Sequence, residues 1–373
     1  MSSKVVFEVG AIASAVARAA RVAPSKGMAF DKAAGVLIEG DPDSKYQITV
    51  RATDIEVGYL ERLTPNEIET DEKFFWRIPS GVFAGLLSSL PPSSTVEMTE
   101  HKGTLYIVCG KVKAKLQTIR GEGDSLGALY WEPFDGEDLS EIAGLATKIT
   151  QVSWACDKQT VPFSGVHMNG THLIATDKYK LVRVPCPLAL EHSITAPLDA
   201  VSPILAKFDD VRLGVEGGLL QIEIDEYTQI TSTVFGNEYP NVERAMRTDY
   251  PHSFMIEKAA LAEAVGRMLA LMGRTERYPV VNLTIKPDDA ALDLRLEVPV
   301  LGEMQDELEI TGASGPETTL SFSPDYITNC LQHVGSSVVT IAYDPDKTTS
   351  AVLFTDGLGF EAWIMPRRPG GGS

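Results

Sequence analysis

The chain has 373 residues, 44% hydrophobic and 23% charged, with 51 acidic residues against 33 basic ones for a net charge of −18. That length leaves room for two or three domains of roughly 100–200 residues. The composition excludes a helical membrane span, since no apolar run reaches ~18–20 residues, and it speaks against gripping nucleic acid by overall charge.

Residues 1–8, Met-Ser-Ser-Lys-Val-Val-Phe-Glu, hold no apolar signal core, so a cytoplasmic location is expected. Six segments then carry helical periodicity. The first, GAIASAVARAARVA, puts Ile12, Val16, Ala19 and Ala23 on one face. The second, IPSGVFAGLLSSLP, does so with Phe83, Leu86, Leu87 and Leu90. The third is expected over GEDLSEIAGLATKITQVSWA, through Leu139, Ile142, Leu145, Ile149 and Val152. The fourth is TAPLDAVSPILAKF, which Pro203 starts late or kinks. The fifth is EKAALAEAVGRMLALMGR and the sixth SPDYITNCLQHVG. The starts are spaced by roughly 60 residues, and every second helix opens beside a proline (Pro79, Pro197, Pro324), which suits a first turn.

Between the helices the chain alternates as strands with turn residues at Gly110-Lys111, Asn169-Gly170, Gly217-Gly218, Pro287-Asp288-Asp289 and Pro345-Asp346-Lys347. These are antiparallel meanders, so the fold class is α+β with one helix-plus-sheet unit used repeatedly. Two segments make the repetition visible: ITVRATDIEVGYLERL, and about 120 residues later HLIATDKYKLVRVPCPL. The third copy, near ALDLRLEVPV, lacks the Ala-Thr-Asp triplet.

Catalytic signatures are absent: there is no GxSxG elbow, no HExxH and no P-loop. His167 and His172 could pair on a metal, but no third ligand is evident. Asp54 and Asp177 read either as catalytic carboxylates or, since they recur at equivalent turns, as caps on local backbone amides. Cys109, Cys156, Cys186 and Cys330 form no CxxC pair and are expected as buried thiols. Basic residues gather toward helix ends: Arg18, Arg21, Lys26, Lys148, Lys207, Arg267, Arg274 and Arg277. The helix dipole accounts for that sorting, and a DNA-facing role requires in addition that the helices share one surface.

Taken in order, ATDIEV, IATDKYKLVRVPCPL, FGNEYPNVERAM and FEAWIMPRR resemble the bacterial DNA polymerase III beta subunit, the beta sliding clamp, with a phage-encoded version included. The resemblance implies three tandem similar domains, at 1–127, 128–250 and 251–373 with a tail at 369–373, each with two helices and antiparallel sheets. It implies a head-to-tail homodimeric ring around duplex DNA, with helices lining the hole. It implies no catalytic residue, no cofactor and no metal; the partners are DNA held without sequence specificity, a replicative polymerase, a clamp loader ATPase and repair factors.

Carried onto this chain, the family's partner-peptide pocket takes Phe163, Thr176, Lys178, Tyr179, Lys180 and Leu181 on one wall. Pro240, Arg244 and Ala245 form another, and Tyr326, Met365, Pro366 and Arg367 close it. The dimer seam falls on Ala114 and Leu116 against Leu271 and Met272. Two departures stand out. Lys178-Tyr179-Lys180 replaces the family's Gly-His-Arg, and Ala114 replaces a large aromatic. The second keeps open an alternative, a monomeric scaffold that binds peptides without closing a ring.

Overall fold

The computed structural model describes residues 3–23, 34–119, 139–188, 190, 192–198, 202–208, 210–272, 280–298 and 302–367. Lys26, Arg274, Arg277 and the 369–373 tail lie outside them, and Met272 is described by its backbone alone.

The element order runs through the same cycle three times. The first run is β1 (Lys4–Glu8), α1 (Val9–Val22), β2 (Val36–Gly40), β3 (Ile48–Thr53), β4 (Val57–Leu63), β5 (Glu67–Glu69), β6 (Phe74–Ile78), α2 (Ser80–Ser88), β7 (Thr95–His101), β8 (Thr104–Cys109) and β9 (Val112–Gln117). The second is β10 (Ser140–Ala143), α3 (Leu145–Ser153), β11 (Val166–Met168), β12 (His172–Thr176), β13 (Lys180–Pro185), β14 (Ile194–Ala196), α4 (Ser202–Leu205), β15 (Asp210–Glu216), β16 (Leu219–Glu223) and β17 (Thr228–Thr233). The third is β18 (His252–Glu257), α5 (Lys258–Met272), β19 (Val281–Lys286), β20 (Ala291–Val298), β21 (Gly302–Glu309), β22 (Thr318–Phe322), α6 (Pro324–His333), β23 (Val338–Tyr343), β24 (Val352–Thr355) and β25 (Glu361–Ile364).

Compactness divides the chain differently, into a first unit of residues 1–147 and 196–235 and a second of 148–195 and 236–373. The reason is that strands pair from one run to the next. In the first unit, one sheet has the order β5-β1-β7-β8-β9, and a larger one runs β10-β15-β16-β17-β4-β3-β2-β6. The β17–β4 rung, with Ile230 opposite Tyr59, joins the second run to the first. In the second unit the sheets run β14-β11-β12-β13-β25-β24-β23-β18 and β21-β20-β19-β22, and β13–β25 joins the second run to the third.

Helix α1 buries Val9, Ile12, Ala15, Val16, Ala19 and Val22 against α2, β3 and β4, the face read from periodicity. Phe83 and Leu87 of α2 are fully buried, each contributing about 1.5–3 kcal/mol of hydrophobic stabilisation. The four cysteines are free and buried. Among the described residues no helix is long and apolar enough to cross a membrane.

Two helices differ from expectation. The stretch expected as the start of the third helix is strand β10, with Ile142 paired to Val211; Gly144, at φ +64°, breaks the chain before α3 begins. The fourth helix is described over Ser202–Leu205, starting beside Pro203, and gives way to a turn before Phe208. Short apolar spacing alone cannot separate half a helix from a strand when a glycine interrupts it.

Candidate functional site

The two Ala-Thr-Asp segments form the same turn. Between β12 and β13, Thr176 Oγ1 donates to the Lys180 carbonyl at 2.7 Å and accepts from the Lys178 amide at 3.0 Å. Asp177 Oδ1 accepts from the Tyr179 and Lys180 amides at 2.9 and 2.8 Å. Between β3 and β4, Thr53 and Asp54 do the same with Val57, Ile55 and Glu56 at 2.7–3.0 Å. Ile55 and Lys178 both take the left-handed backbone, at φ +85° and +79°. The aspartates are therefore turn-formers, and one oxygen of Asp177 is further paired with the Lys180 ammonium. Burial pushes the Asp54 carboxyl up, against the amide hydrogen bonds that favour its ionised form.

The second turn opens onto an apolar cluster within the second unit. Ile174, Leu181, Tyr239, Leu353 and Trp363 are its buried centre, with Phe163, Val242 and Met246 packed against them. The strands set this up: Leu181 faces Trp363 across β13–β25, and the Met365 amide donates to the Tyr179 carbonyl at 2.8 Å. The Trp363 indole donates to the Arg247 carbonyl at 2.8 Å, which fixes the ring at the floor. Phe163 meets Tyr239 edge-on at 5.9 Å. Pro240, Arg244 and Ala245 lie exposed on the segment whose Val242 and Met246 enter the cluster.

Lys180 is only 8% exposed. Its ammonium lies 5.1 Å from the Tyr326 ring centroid and 5.8 Å from that of Trp154, which ties Tyr326 to the turn. Burial pushes the Tyr326 phenol up. The Arg367 amide donates to the Ser321 carbonyl at 2.7 Å. Thr176, Leu181 and Pro366 are buried, Met365 is half-buried and Tyr179 is 63% exposed. Of the residues expected at the pocket, Phe163 and Leu181 belong to the apolar cluster, and Thr176, Lys178, Tyr179 and Lys180 form the turn beside it. Trp363, Tyr239, Val242 and Met246 of the cluster, and Trp154 beside Lys180, are not singled out by the sequence, although Trp363 lies inside the FEAWIMPRR segment.

Next to the cluster is a cavity of about 320 Å³ lined by His167, His172, Arg183, Tyr239, Asn241 and Met246, among others. His167 stacks on Tyr239 with ring centroids 4.3 Å apart, and its Nδ1 lies 2.9 Å from Thr195 Oγ1. Among the described residues no group of three or more His, Cys, Asp or Glu could hold a metal ion.

The basic residues expected to face DNA are placed variously. Arg18 turns toward the sheet, pairing with Glu61 and Tyr59. Arg267 pairs with Asp306 on β21. Arg21 and Lys207 are exposed, and Lys148 is half-buried.

Of the residues expected at the seam, Ala114 and Leu116 lie on β9, and Leu271 and Met272 end α5. Among the described residues β9 is paired only with β8, and β21 only with β20. On β9, Ala114 and Leu116 are half-buried on one face and Lys113 and Lys115 exposed on the other. On β21, Met304, Asp306 and Leu308 are half-buried while Glu303, Gln305, Glu307 and Glu309 are exposed. Leu271 is half-buried at the end of α5, which packs on β21.

Three cycles of helix and antiparallel strands, with sheets running from one cycle into the next, define the fold of the DNA sliding clamps. No family model matches the sequence, but the chain is similar throughout to bacterial beta clamps. It is 23% identical over 282 residues to the beta sliding clamp of Streptococcus pneumoniae, covering 71% of this chain and 72% of that one. It is 21% identical over 284 residues to that of Lactococcus lactis, covering 71% and 73%. The crystal structure of the DNA polymerase III beta subunit of Thermotoga maritima superposes with a TM-score of 0.79 at 18% identity, covering 98% of this chain and 99% of that one. A Pseudomonas aeruginosa sliding clamp bound to griselimycin superposes with a TM-score of 0.75 at 19% identity, covering 99% and 100%.

Proposed function

We propose that this chain is a DNA polymerase processivity factor, a sliding clamp that closes with a second copy into a ring around duplex DNA. Three clamp domains, cut at 1–127, 128–250 and 251–373, make up each half. The observation that carries the proposal is the repeated sheet junction. β4 pairs with β17 and β13 pairs with β25, and the bond from Met365 to Tyr179 has its counterpart from Thr233 to Glu56, also at 2.8 Å. The same junction between β9 of one copy and β21 of another would close the cycle. Exposed lysines on one edge and exposed glutamates on the other suit that pairing. Free edges of this kind otherwise invite aggregation.

A closed ring holds DNA topologically, so weak and sequence-independent phosphate contacts suffice. This reconciles the net charge of −18 with work on DNA in the cytoplasm. Arg21 and Lys207, exposed, are the described residues proposed to meet phosphates; Lys148 is half-buried with a partner of its own, and Arg18 and Arg267 pair with carboxylates. The apolar cluster around Phe163, Leu181 and Trp363, with Met365 and Tyr326 at its margin, receives short hydrophobic peptides of the polymerase, the clamp loader and repair factors. No cofactor and no catalytic residue is needed for this work.

The test is negative-stain electron microscopy with sedimentation. A ring of mass twice the 40.4 kDa chain, retained on circular DNA and lost on linearised DNA, is the expected result. A single chain at every concentration that still binds griselimycin would instead establish the monomeric peptide-binding scaffold.

A further inference from the structure

We propose that the peptide site selects partners carrying a carboxylate beside the apolar anchor, and that Lys178 is the residue that reads it. This rests on the peptide-site assignment above. Lys178 is exposed, and its ammonium lies 4.9 Å from the Phe163 ring centroid. A cation thus rests over part of the apolar wall that an anchor side chain must cover. Its backbone is fixed by the Thr176 and Asp177 hydrogen bonds, so only the flexible stem has to move.

The charge surroundings point to an acidic occupant. Several other cations of the second unit are matched to acids: Lys180 with Asp177, Arg183 with Glu361, Arg247 with Asp344, Arg267 with Asp306, and Lys286 with Asp293; Lys258 instead donates to the Val334 carbonyl. Among the described residues no carboxylate lies within ion-pair distance of Lys178, nor of Arg244 on the facing segment. Asp157 acts on Lys178 from further away, and its carboxylate accepts from the Gln159 amide at 2.9 Å and from Thr160. In a chain with 51 acidic residues, two cations with no carboxylate at ion-pair distance, on either side of one apolar cluster, are available to a partner. An incoming anchor displaces the ammonium from Phe163. The ammonium then donates a charge-assisted hydrogen bond to a peptide carboxylate, which the neutral amide oxygen of Gln matches only weakly.

The experiment compares two synthetic peptides with the same Leu-Phe anchor, one flanked by Glu and one by Gln, by fluorescence anisotropy on the full chain. Wild type should bind the Glu peptide about 2–5-fold more tightly at low salt. That preference should vanish in Lys178→Met, reverse in Lys178→Glu, and fade at high salt. Equal affinities in wild type, or a preference that survives Lys178→Met, overturn the proposal. Griselimycin binding separates the two levels. If it binds while the peptides are indistinguishable, only the selection fails; if neither it nor any peptide binds, the peptide-site assignment falls as well.

Discussion

Replacing Arg18 with methionine should destabilise the first unit by about 2–3 kcal/mol and leave DNA engagement unchanged. Arg18 Nε donates to Tyr59 Oη at 2.9 Å and to Glu61 Oε2 at 3.1 Å, and Nη2 donates to Oε1 at 2.6 Å. The Arg18 and Glu61 side chains are 21% and 8% exposed. Methionine keeps the apolar stem packed but leaves the buried Glu61 carboxylate with the Tyr59 hydroxyl as its remaining donor and no compensating charge. Removing one partner of a fully buried pair costs about 3–5 kcal/mol; the water that reaches Arg18 brings this to about 2–3 kcal/mol. For a cooperative unit of about 150–250 residues, Tm then falls by roughly 4–12 °C. Calorimetry of wild type, Arg18→Met, Glu61→Leu and the double variant measures it, and the double variant should recover part of the loss. In parallel, the salt slope of DNA binding should not move, whereas loss of one phosphate contact lowers it by about 0.9. An Arg18→Met protein as stable as wild type, with a slope reduced by that amount, would show that Arg18 faces phosphate and would refute the inward placement.

Three further outcomes are expected. Reversing Lys113 and Lys115 to Glu should turn a dimer into a single chain by sedimentation, and adding Glu303→Lys with Glu307→Lys should restore it; unchanged mass in the first variant would sink the edge pairing. Met365→Ala with Pro366→Ala should weaken peptide binding by ~1–3 kcal/mol with the oligomer intact, and unaltered affinity would misplace the pocket. Burial holds the His167 and His333 imidazoles below their usual pKa, so the folded chain resists a proton that the unfolded chain takes up near pH ~6.5. Stability should therefore fall as pH drops below about 6.5, and His333→Gln should flatten that fall; equal Tm values at pH ~7.5 and ~5.5 would contradict it.

Much of this architecture was legible in the residues because the signals were local. The Gly110-Lys111 turn links Cys109 and Val112 as a two-residue hairpin, with Gly110 at φ +57°. Asn169 Oδ1 accepts from the Thr171 and His172 amides, as the Asn-Gly pair suggested. Pro324 begins α6. What could not be read was non-local. Nothing near Arg18 in sequence announces Glu61, 43 positions away, so its place among the basic residues near helix ends suggested DNA. Trp363 is apolar in a strand, and only the β13–β25 register sets it under Leu181.

The two Ala-Thr-Asp turns share one structural device, and the proposed peptide site lies beside only one of them. Their hydrogen bonds match, so the turn itself confers no function. The difference lies across the sheet junction. The residue donating to the turn carbonyl is Thr233 in the first unit and Met365 in the second, and the floor residue opposite Leu181 is Trp363 where Gly58 faces Thr231. The second unit alone pairs the turn with large apolar side chains, and it places Lys178 above Phe163 where the first copy has Ile55. If the turn were the recognition element, Asp54→Ala and Asp177→Ala would impair partner binding alike. Because the apolar floor is what differs, each variant should destabilise its own unit, while Asp177→Ala alone reduces peptide affinity, read by anisotropy on protein shown to be folded at the assay temperature. Equal losses from the two variants would return the recognition role to the turn.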